Sequence, residues 1–148
     1  MKVNTPYSLR ELVRADYPDV WDVRYAVTEN TLRPGRIDDE DLRRETEDTG
    51  KGWVIDVDGR IDGFAIGNAV SGNVWALFVH PRAQGCGYGD ALHQAMLHWF
   101  ATQPIELLWL STGKQTKARG FYERRGWVEV SDYGETEVRL ERVNRRYA

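Results

Sequence analysis

The sequence predicts an α/β fold in which helices cover the faces of a mixed β-sheet. Three observations predict it. Two strand-like runs flank Asp58-Gly59, a two-residue hairpin signal. Val74 to Val79 is a continuous apolar run, as in a central strand covered on both faces. After a glycine-rich loop, Leu92, Ala95, Met96 and Trp99 fall at i, i+3, i+4 and i+7, the stripe of a helix resting on a core.

Taken in order, Tyr7 to Val13 alternates weakly and reads as a first strand. Asp16 can cap the following helix, with Pro18 in its first turn, and that helix is expected to run to about Asn30. Arg33-Pro34-Gly35-Arg36 breaks it. Ile37 to Asp48 is dense in charge and reads as a solvated helix whose N-terminus suits Asp38 to Asp41. Trp53 to Val57 and Ile61 to Val70 are the strands of the Asp58-Gly59 hairpin, and Ser71-Gly72-Asn73 turns the chain into Val74 to Val79. Pro81 ends that strand. Asp90 to Thr102 is helical, Ile105 to Leu110 a strand and Lys114 to Arg125 a helix, with Gly126 where a helix-ending glycine belongs. Trp127 to Val130 and Glu135 to Glu141 close the chain as strands around the turn at Asp132 to Gly134.

Composition narrows the function. The 148 residues fit one domain, apolar and charged residues at 41% and 29% are ordinary for a globular chain, and six Trp with seven Tyr argue against disorder. A net charge of −3 does not favour nucleic acid as a partner. The single cysteine, Cys86, excludes an internal disulfide and a cysteine-ligated zinc, and suits a reducing cytoplasm. No apolar run approaches the roughly 20 residues a membrane span needs, so no membrane partner is expected.

The informative stretch is Gln84-Gly85-Cys86-Gly87-Tyr88-Gly89-Asp90. Glycines at alternate positions leave backbone N–H groups unobstructed between a buried strand and a helix N-terminus, which makes an anion site suited to a pyrophosphate. Asp90-Ala91 after the last glycine excludes the Lys-Ser/Thr of a P-loop, and Gly-x-Gly-x-Gly is not the dinucleotide fingerprint.

Here the chain resembles the GNAT superfamily of N-acetyltransferases. Gln84, Gly87 and Gly89 match its Gln/Arg-x-x-Gly-x-Gly/Ala motif between the fourth strand and third helix. A second run, Gln115-x-x-Ala118-x-x-Phe121-Tyr122-Glu123-Arg124-x-Gly126-Trp127, matches its Asn-x-x-Ala-x-x-Phe-Tyr-Glu-Lys-x-Gly-Phe motif at nearly every position. The resemblance is strong from Val74 to Trp127 and weak before Trp53. It implies a mostly antiparallel central sheet of six to seven strands flanked by about four helices, with acetyl-CoA as the co-substrate and no metal.

The resemblance also implies roles. Gln84 to Asp90 would hold the CoA pyrophosphate. Leu77, Phe78 and Val79 would pair with the pantetheine arm, and the backbone N–H near Phe78 or Val79 would steady the oxyanion. The strand from Ile105 would splay away to open a V-shaped gap. Ala118, Phe121, Tyr122 and Arg125 share the helix face toward that gap. Tyr122 is the family's general acid, and Gln115, standing where Asn is usual, would touch the pantetheine or a water. Arg124, with Lys114, Lys117 and Arg119, would meet the 3′-phosphate, while Cys86 replaces a common Lys or Arg. The base is open: Asn73 to Val79 holds no carboxylate, leaving Glu29 at the acceptor side, His80, or a water chain.

The acceptor is expected to be a small-molecule or peptide amine. The acidic run Asp38 to Asp48 hints at a cationic one such as a polyamine or amino sugar. A homodimer is compatible with the family. Rival readings are a non-catalytic CoA-binding or sensing module and an interaction protein with a structural glycine turn. A longer acyl donor stays within the enzyme class unless Trp75 and Trp109 shorten the gap.

Overall fold

A computed structural model describes residues 6–28 and 37–145. Among them lie seven strands and four α-helices, in the order β1 Ser8–Glu11, α1 Tyr17–Ala26, α2 Asp39–Arg43, β2 Gly50–Val57, β3 Arg60–Asn68, β4 Val74–Val79, α3 Tyr88–Phe100, β5 Leu107–Gly113, α4 Lys117–Glu123, β6 Val128–Tyr133 and β7 Glu137–Val143. The expected α/β class, strand number and helix number are all seen. The strands form two antiparallel sheets, ordered β1-β2-β3-β4 and β5-β7-β6.

Local chemistry explains the elements, with some departures from expectation. Asp38 does cap α2: its carboxylate accepts from the Asp41 N–H at 3.0 Å, and the Asp41 carboxylate accepts from the Asp38 N–H at 2.9 Å. Asp16 does not cap α1. Its side chain turns back to accept from the Val13 N–H and from the Arg10 guanidinium, each at 2.9 Å, because that buried carboxylate needs a charged partner more than the helix needs a cap. The helix α1 stops at Ala26, since Val27 is already extended, and the predicted break at Arg33 to Arg36 falls outside the described residues. After α2 the chain widens into a π-helical turn over Arg44–Asp48.

Arginines meet part of the acidic run's charge. Arg43 pairs with Glu40 and Asp48, Arg44 with Asp41, and Arg14 with Glu47, while Asp39 accepts from the Trp21 indole at 2.6 Å.

Burial divides into two cores, one on each face of the sheets. One joins Ile55, Leu92, Met96, Phe100 and Leu108 with the α4 end of the chain. The other packs Val20, Val23 and Leu42 on Val54, Phe64 and Ile66. Bulges in the register leave Asp62 in β3 and Trp75 in β4 without a cross-strand partner, because Ile55 and Asp56 face Gly63 and Ile61, while Ile66 and Gly67 face Ala76 and Val74.

The predicted central strand is instead the last strand of the first sheet. Trp75, Leu77, Phe78 and Val79 are only half-buried, because β4 bonds β3 on one side and opens to a cleft on the other. The expected splay is present: β4 and β5 meet at one parallel bridge, Asn73 to Trp109. There the Trp109 N–H donates to the Gly72 carbonyl at 3.0 Å, and the Asn73 side-chain amide donates to the Trp109 carbonyl at 3.3 Å.

Gly72 is required at this joint. Its φ is +75°, and a Cβ there would lie 2.4 Å from the Leu107 carbonyl oxygen. Gly72→Ala is expected to lose about 2–4 kcal/mol of stability, read as a lower urea midpoint. An unchanged midpoint would show that the joint can yield.

Candidate active site

The cleft between β4 and β5 has a volume of about 320 Å³. Its walls are β4, the stretch Leu110-Ser111-Thr112 of β5, and Ala118, Phe121 and Tyr122 of α4, with Gln84 and Gly89 at the loop end. Every second backbone group of β4 faces this space, since an edge strand leaves one row of N–H and C=O groups unpaired.

The glycine loop is anchored before it turns. His80 Nδ1 accepts from the Arg82 N–H at 3.1 Å and starts a 3₁₀ turn over Pro81–Ala83. Burial, then the Arg82 charge, lowers the His80 pKa, and the ring's role is positional. Arg82 donates to Asp62 at 2.8 Å and to the Ile61 carbonyl at 3.1 Å. Burial pushes the Asp62 carboxyl up, but hydrogen bonds from Arg60 and Arg82 outweigh it and hold the group below the usual carboxylate range. The bulge in β3 thus places a carboxylate that pins the root of the loop.

Gly85 and Gly87 each have a φ of +83°, a conformation that side chains disfavour. Among the described residues, the N–H groups from Gly85 to Asp90 donate to no backbone carbonyl, so they project from the loop and the first turn of α3 as free donors. Gly89 differs: it has no left-handed φ, and a Cβ there would lie at an ordinary contact distance, 3.5 Å, from the Phe121 ring.

The loop's side chains are occupied elsewhere. Tyr88 is buried edge-on to Tyr7 with centroids 4.8 Å apart, and Cys86 packs against the core. Asp90 accepts from Arg125 at 3.0 Å and from Gln94 at 3.1 Å. What these residues offer a ligand is their backbone.

The helix α4 delivers Tyr122. Thr116 caps its start, and a Schellman arrangement ends it: the Gly126 N–H donates to the Glu123 carbonyl at 3.3 Å and the Trp127 N–H to the Tyr122 carbonyl at 3.2 Å, with Gly126 at φ +91°. This lays Trp127 against Tyr122, ring centroids 5.7 Å apart. Phe121, at 5.2 Å, and His93, at 6.2 Å, complete the enclosure. Burial pushes the Tyr122 phenol well above its ordinary pKa, so it keeps its proton at neutral pH.

The structure does not bring every predicted residue to the cleft. Gln115 is exposed and lies outside its lining, whereas exposed Arg124 and Lys117 do line it. Arg125 turns to Asp90 and stacks 3.7 Å over Phe121. Lys114 and Arg119 pair with Asp132 and Glu129. Trp75 lines the cleft, whereas Trp109 stacks under Arg139 at 4.3 Å. Glu29 lies outside the described residues. Among the described residues no Asp, Glu or His lines the cleft.

His93 was not singled out from sequence. It is buried behind Tyr122, and its Nε2 accepts from the Trp127 indole at 3.0 Å. The available signal was position: His93 stands beside Leu92 and at i−3 from Met96, inside the apolar arc of its helix.

Comparison with known proteins decides the family, since residues 7–127 match the acetyltransferase (GNAT) family model. The chain belongs to the GNAT family. One curated relative is the [ribosomal protein bS18]-alanine N-acetyltransferase of Haemophilus influenzae, 32% identical over 73 residues. That match covers 48% of this chain and half, 50%, of the relative. Among solved structures, Ard1 from Thermoplasma volcanium superposes with a TM-score of 0.78 at 22% identity, covering 93% of this chain and 97% of that one. The ribosomal-protein-S18-alanine N-acetyltransferase from Escherichia coli gives 0.78 at 15% identity, over 97% and 96%. PaiA N-acetyltransferase from Thermoplasma acidophilum, solved in complex with coenzyme A, gives 0.72 at 14% identity, over 93% and 99%. These likenesses establish a shared fold.

In this GNAT-family chain, His93 should report on the packing behind Tyr122. Burial, aided by the Arg142 and Arg125 charges, lowers its pKa to about 4, against ~6.5 in an unfolded chain. The folded value is depressed, so the native imidazole stays neutral while the unfolded one takes up a proton as pH falls. Its contribution is full above pH ~6.5 and is lost as pH falls toward ~4. A urea-midpoint series over that window should fall more steeply for the parent than for His93→Gln. Superimposable slopes would exclude His93 as the titrating group.

Proposed function

We propose that this chain transfers the acetyl group of acetyl-CoA directly to a primary amine of a small molecule or peptide. One observation carries the reading: the glycine loop, through Gln84 and Gly89, the unpaired edge of β4 and Tyr122 all line the same cleft. The residues fit the co-substrate. Orphan N–H groups at a helix N-terminus suit a pyrophosphate, an open strand edge suits an arm that carries amides, and exposed Arg124 and Lys117 sit at the lining where a further phosphate can be met. The named N-acetyltransferases among the relatives support an amine acceptor.

Each residue then has a task. The β4 edge near Phe78 and Val79 offers N–H donors to the oxygen that gains charge as the amine attacks the thioester carbonyl. In that step a C–N bond forms, the C–S bond breaks, the amine loses a proton and the departing sulfur gains one. Tyr122, protonated and walled in by aromatic rings, would supply the sulfur's proton. Its high pKa makes it a reluctant acid in water, but a thiolate left in the same desolvated cleft is a correspondingly stronger base. The amine must shed its own proton from an ordinary pKa near ~10, and Glu29, a water chain or desolvation would serve. The expected compartment is the cytoplasm. Among the described residues no helix is long and apolar enough to cross a membrane.

A second reading, a CoA-binding or sensing module without turnover, draws on the absence of a carboxylate or imidazole among the described cleft residues. Release of free CoA in the presence of amines separates the two.

Tyr122→Phe keeps the ring and its packing, so acetyl-CoA should bind with similar affinity while kcat falls roughly 10²–10⁴-fold. An unchanged kcat would make Tyr122 a packing residue, and lost binding would make its hydroxyl a ligand contact.

Gly87→Glu tests the loop. A Cβ at Gly87 meets nothing within 4 Å, so the variant should fold, with some strain from its φ of +83°. The carboxylate should nevertheless repel the pyrophosphate and abolish the thermal shift that saturating acetyl-CoA gives the parent. Parent-like binding would remove the loop from the site.

A further inference from the structure

We infer that this chain pairs with a second copy of itself across a two-fold axis, β6 of one copy lying antiparallel to β6 of the other, so that the two β5-β7-β6 sheets join edge to edge. The inference does not rest on the transferase reading, and its test uses no activity.

The strand β6 is the last of its sheet. It bonds β7 on one side, and all six of its residues are exposed. Among the described residues no loop or turn backbone group bonds Val128–Tyr133, so the outer row of N–H and C=O groups is unpaired. Such an edge recruits another strand unless proline, charge or a bulge blunts it. The strand holds no proline. Its two carboxylates are drawn to their own chain, Glu129 by Arg119 and Asp132 by Lys114. The ladder to β7 bulges at Val130, which adds twist and limits the edge to a short partner. Another β6 is such a partner.

The face beside this edge is apolar. Among the described residues nine large hydrophobic side chains are exposed, and five of them, Leu107, Val128, Val130, Tyr133 and Val143, lie on the β5-β7-β6 sheet. Val128 is 63% exposed and Val143 70%. Exposed apolar side chains gathered in one patch, and not scattered singly, mark an interaction surface. Val128 and Val130 belong both to the free edge and to a groove of about 360 Å³ that Leu107 and Val143 also border.

Charge selects a second copy as the occupant. The β6-β7 hairpin carries Asp132, Glu135 and Glu137 at its turn, and Arg142 and Arg145 at its open end. Among the described residues Glu135, Glu137, Arg142 and Arg145 form no ion pair, while Arg139 offsets Glu141 between the two ends. A two-fold axis through the edge reverses one hairpin against the other. The acidic turn of each copy then lies beside the basic end of its mate, so the surface complements itself, as an isologous interface requires. With Val130 at the axis, Glu129 stands opposite Ser131 and not Asp132 of the other copy, which avoids opposing like charges. The strand β7 lies between β6 and β5, so the cleft beside β4 stays open in the pair.

Sedimentation velocity of the full chain tests the inference. The interface is small, under about 1,200 Å² in total, so association should be weak and concentration-dependent. The average mass should rise toward two chains as concentration increases, and rise less in high salt. Val130→Lys puts two ammonium groups at the axis and should raise the dissociation constant at least about tenfold. A pair of charge variants tests the orientation. Glu135→Arg with Glu137→Arg makes the acidic turn basic, and Arg145→Glu neutralises the basic end. Each should dimerise less than the parent, and their equimolar mixture more than either alone. Cooperative thermal unfolding like the parent's serves as the fold control, since these side chains reach solvent. A chain that stays monomeric at every concentration overturns the inference. So does a dimer that Val130→Lys leaves intact, or a mixture no more dimeric than its components. A monomer whose β6 amide resonances move on addition of a synthetic Val-Glu-Val-Glu-Val peptide assigns the edge to a foreign acidic strand and overturns it as well.

Discussion

The architecture depends on the joint where β4 meets β5. The two sheets touch laterally at Asn73 and Trp109, and Gly72 allows the approach because its missing side chain leaves room for the Leu107 carbonyl. From that point the strands diverge. Had they stayed paired along their length, the polar edge of β4 would have been consumed by ladder hydrogen bonds and no cleft would exist. An exposed strand edge is normally a liability that invites foreign chains. Here the edge is recessed between α4 and the glycine loop, so a narrow extended ligand can reach it and a broad sheet cannot.

A second constraint fixes the distance between the glycine loop and Tyr122. The helices α3 and α4 are clamped by the Asp90–Arg125 ion pair and by Arg125 stacked on Phe121. His93 and Trp127 close the clamp from behind with one hydrogen bond. The partly exposed ion pair contributes modestly to stability on its own. The value of the set lies in registration: a group donating a proton must be held to within a fraction of an ångström. The Schellman turn at Gly126 serves the same end, because it swings Trp127 back under the tyrosine.

Local signals were legible in the sequence and lateral ones were not. The Asp58-Gly59 hairpin, the stripe on α3, the two GNAT motifs and Tyr122 could be read because each depends on residues a few positions apart. The two sheets also exchange little between neighbours in sequence: β5 pairs with β7, not with β4. That pairing involves residues far apart, so periodicity could not show the splay, and only the family resemblance suggested it. The apolar run Val74 to Val79 misled for a related reason. Its strand is covered on both faces, with Val74, Leu77 and Val79 against one core and Ala76, Trp75 and Phe78 against the other, yet it is last in its sheet, and face burial does not report which edge is open. Bulges hide in the same way, since Asp62 and Trp75 look like ordinary alternating positions until the partner strand is known.

Under the proposed function the loop grips through its main chain, and that has a consequence for how the molecule tolerates change. A site made of side-chain donors loses affinity whenever one is replaced. A site made of amide N–H groups constrains only backbone conformation, here chiefly at Gly85 and Gly87. The intervening positions are released for other duties: Tyr88 packs on Tyr7 and Asp90 holds Arg125. Cys86, with a half-buried thiol where a cation would be unremarkable, then represents a freedom of the loop and not a defect in it. Sequence drift at such positions can retune the packing of α3 against α4 while leaving the anion site intact, so recognition of the invariant part of a co-substrate and adaptation to a new acceptor can proceed independently.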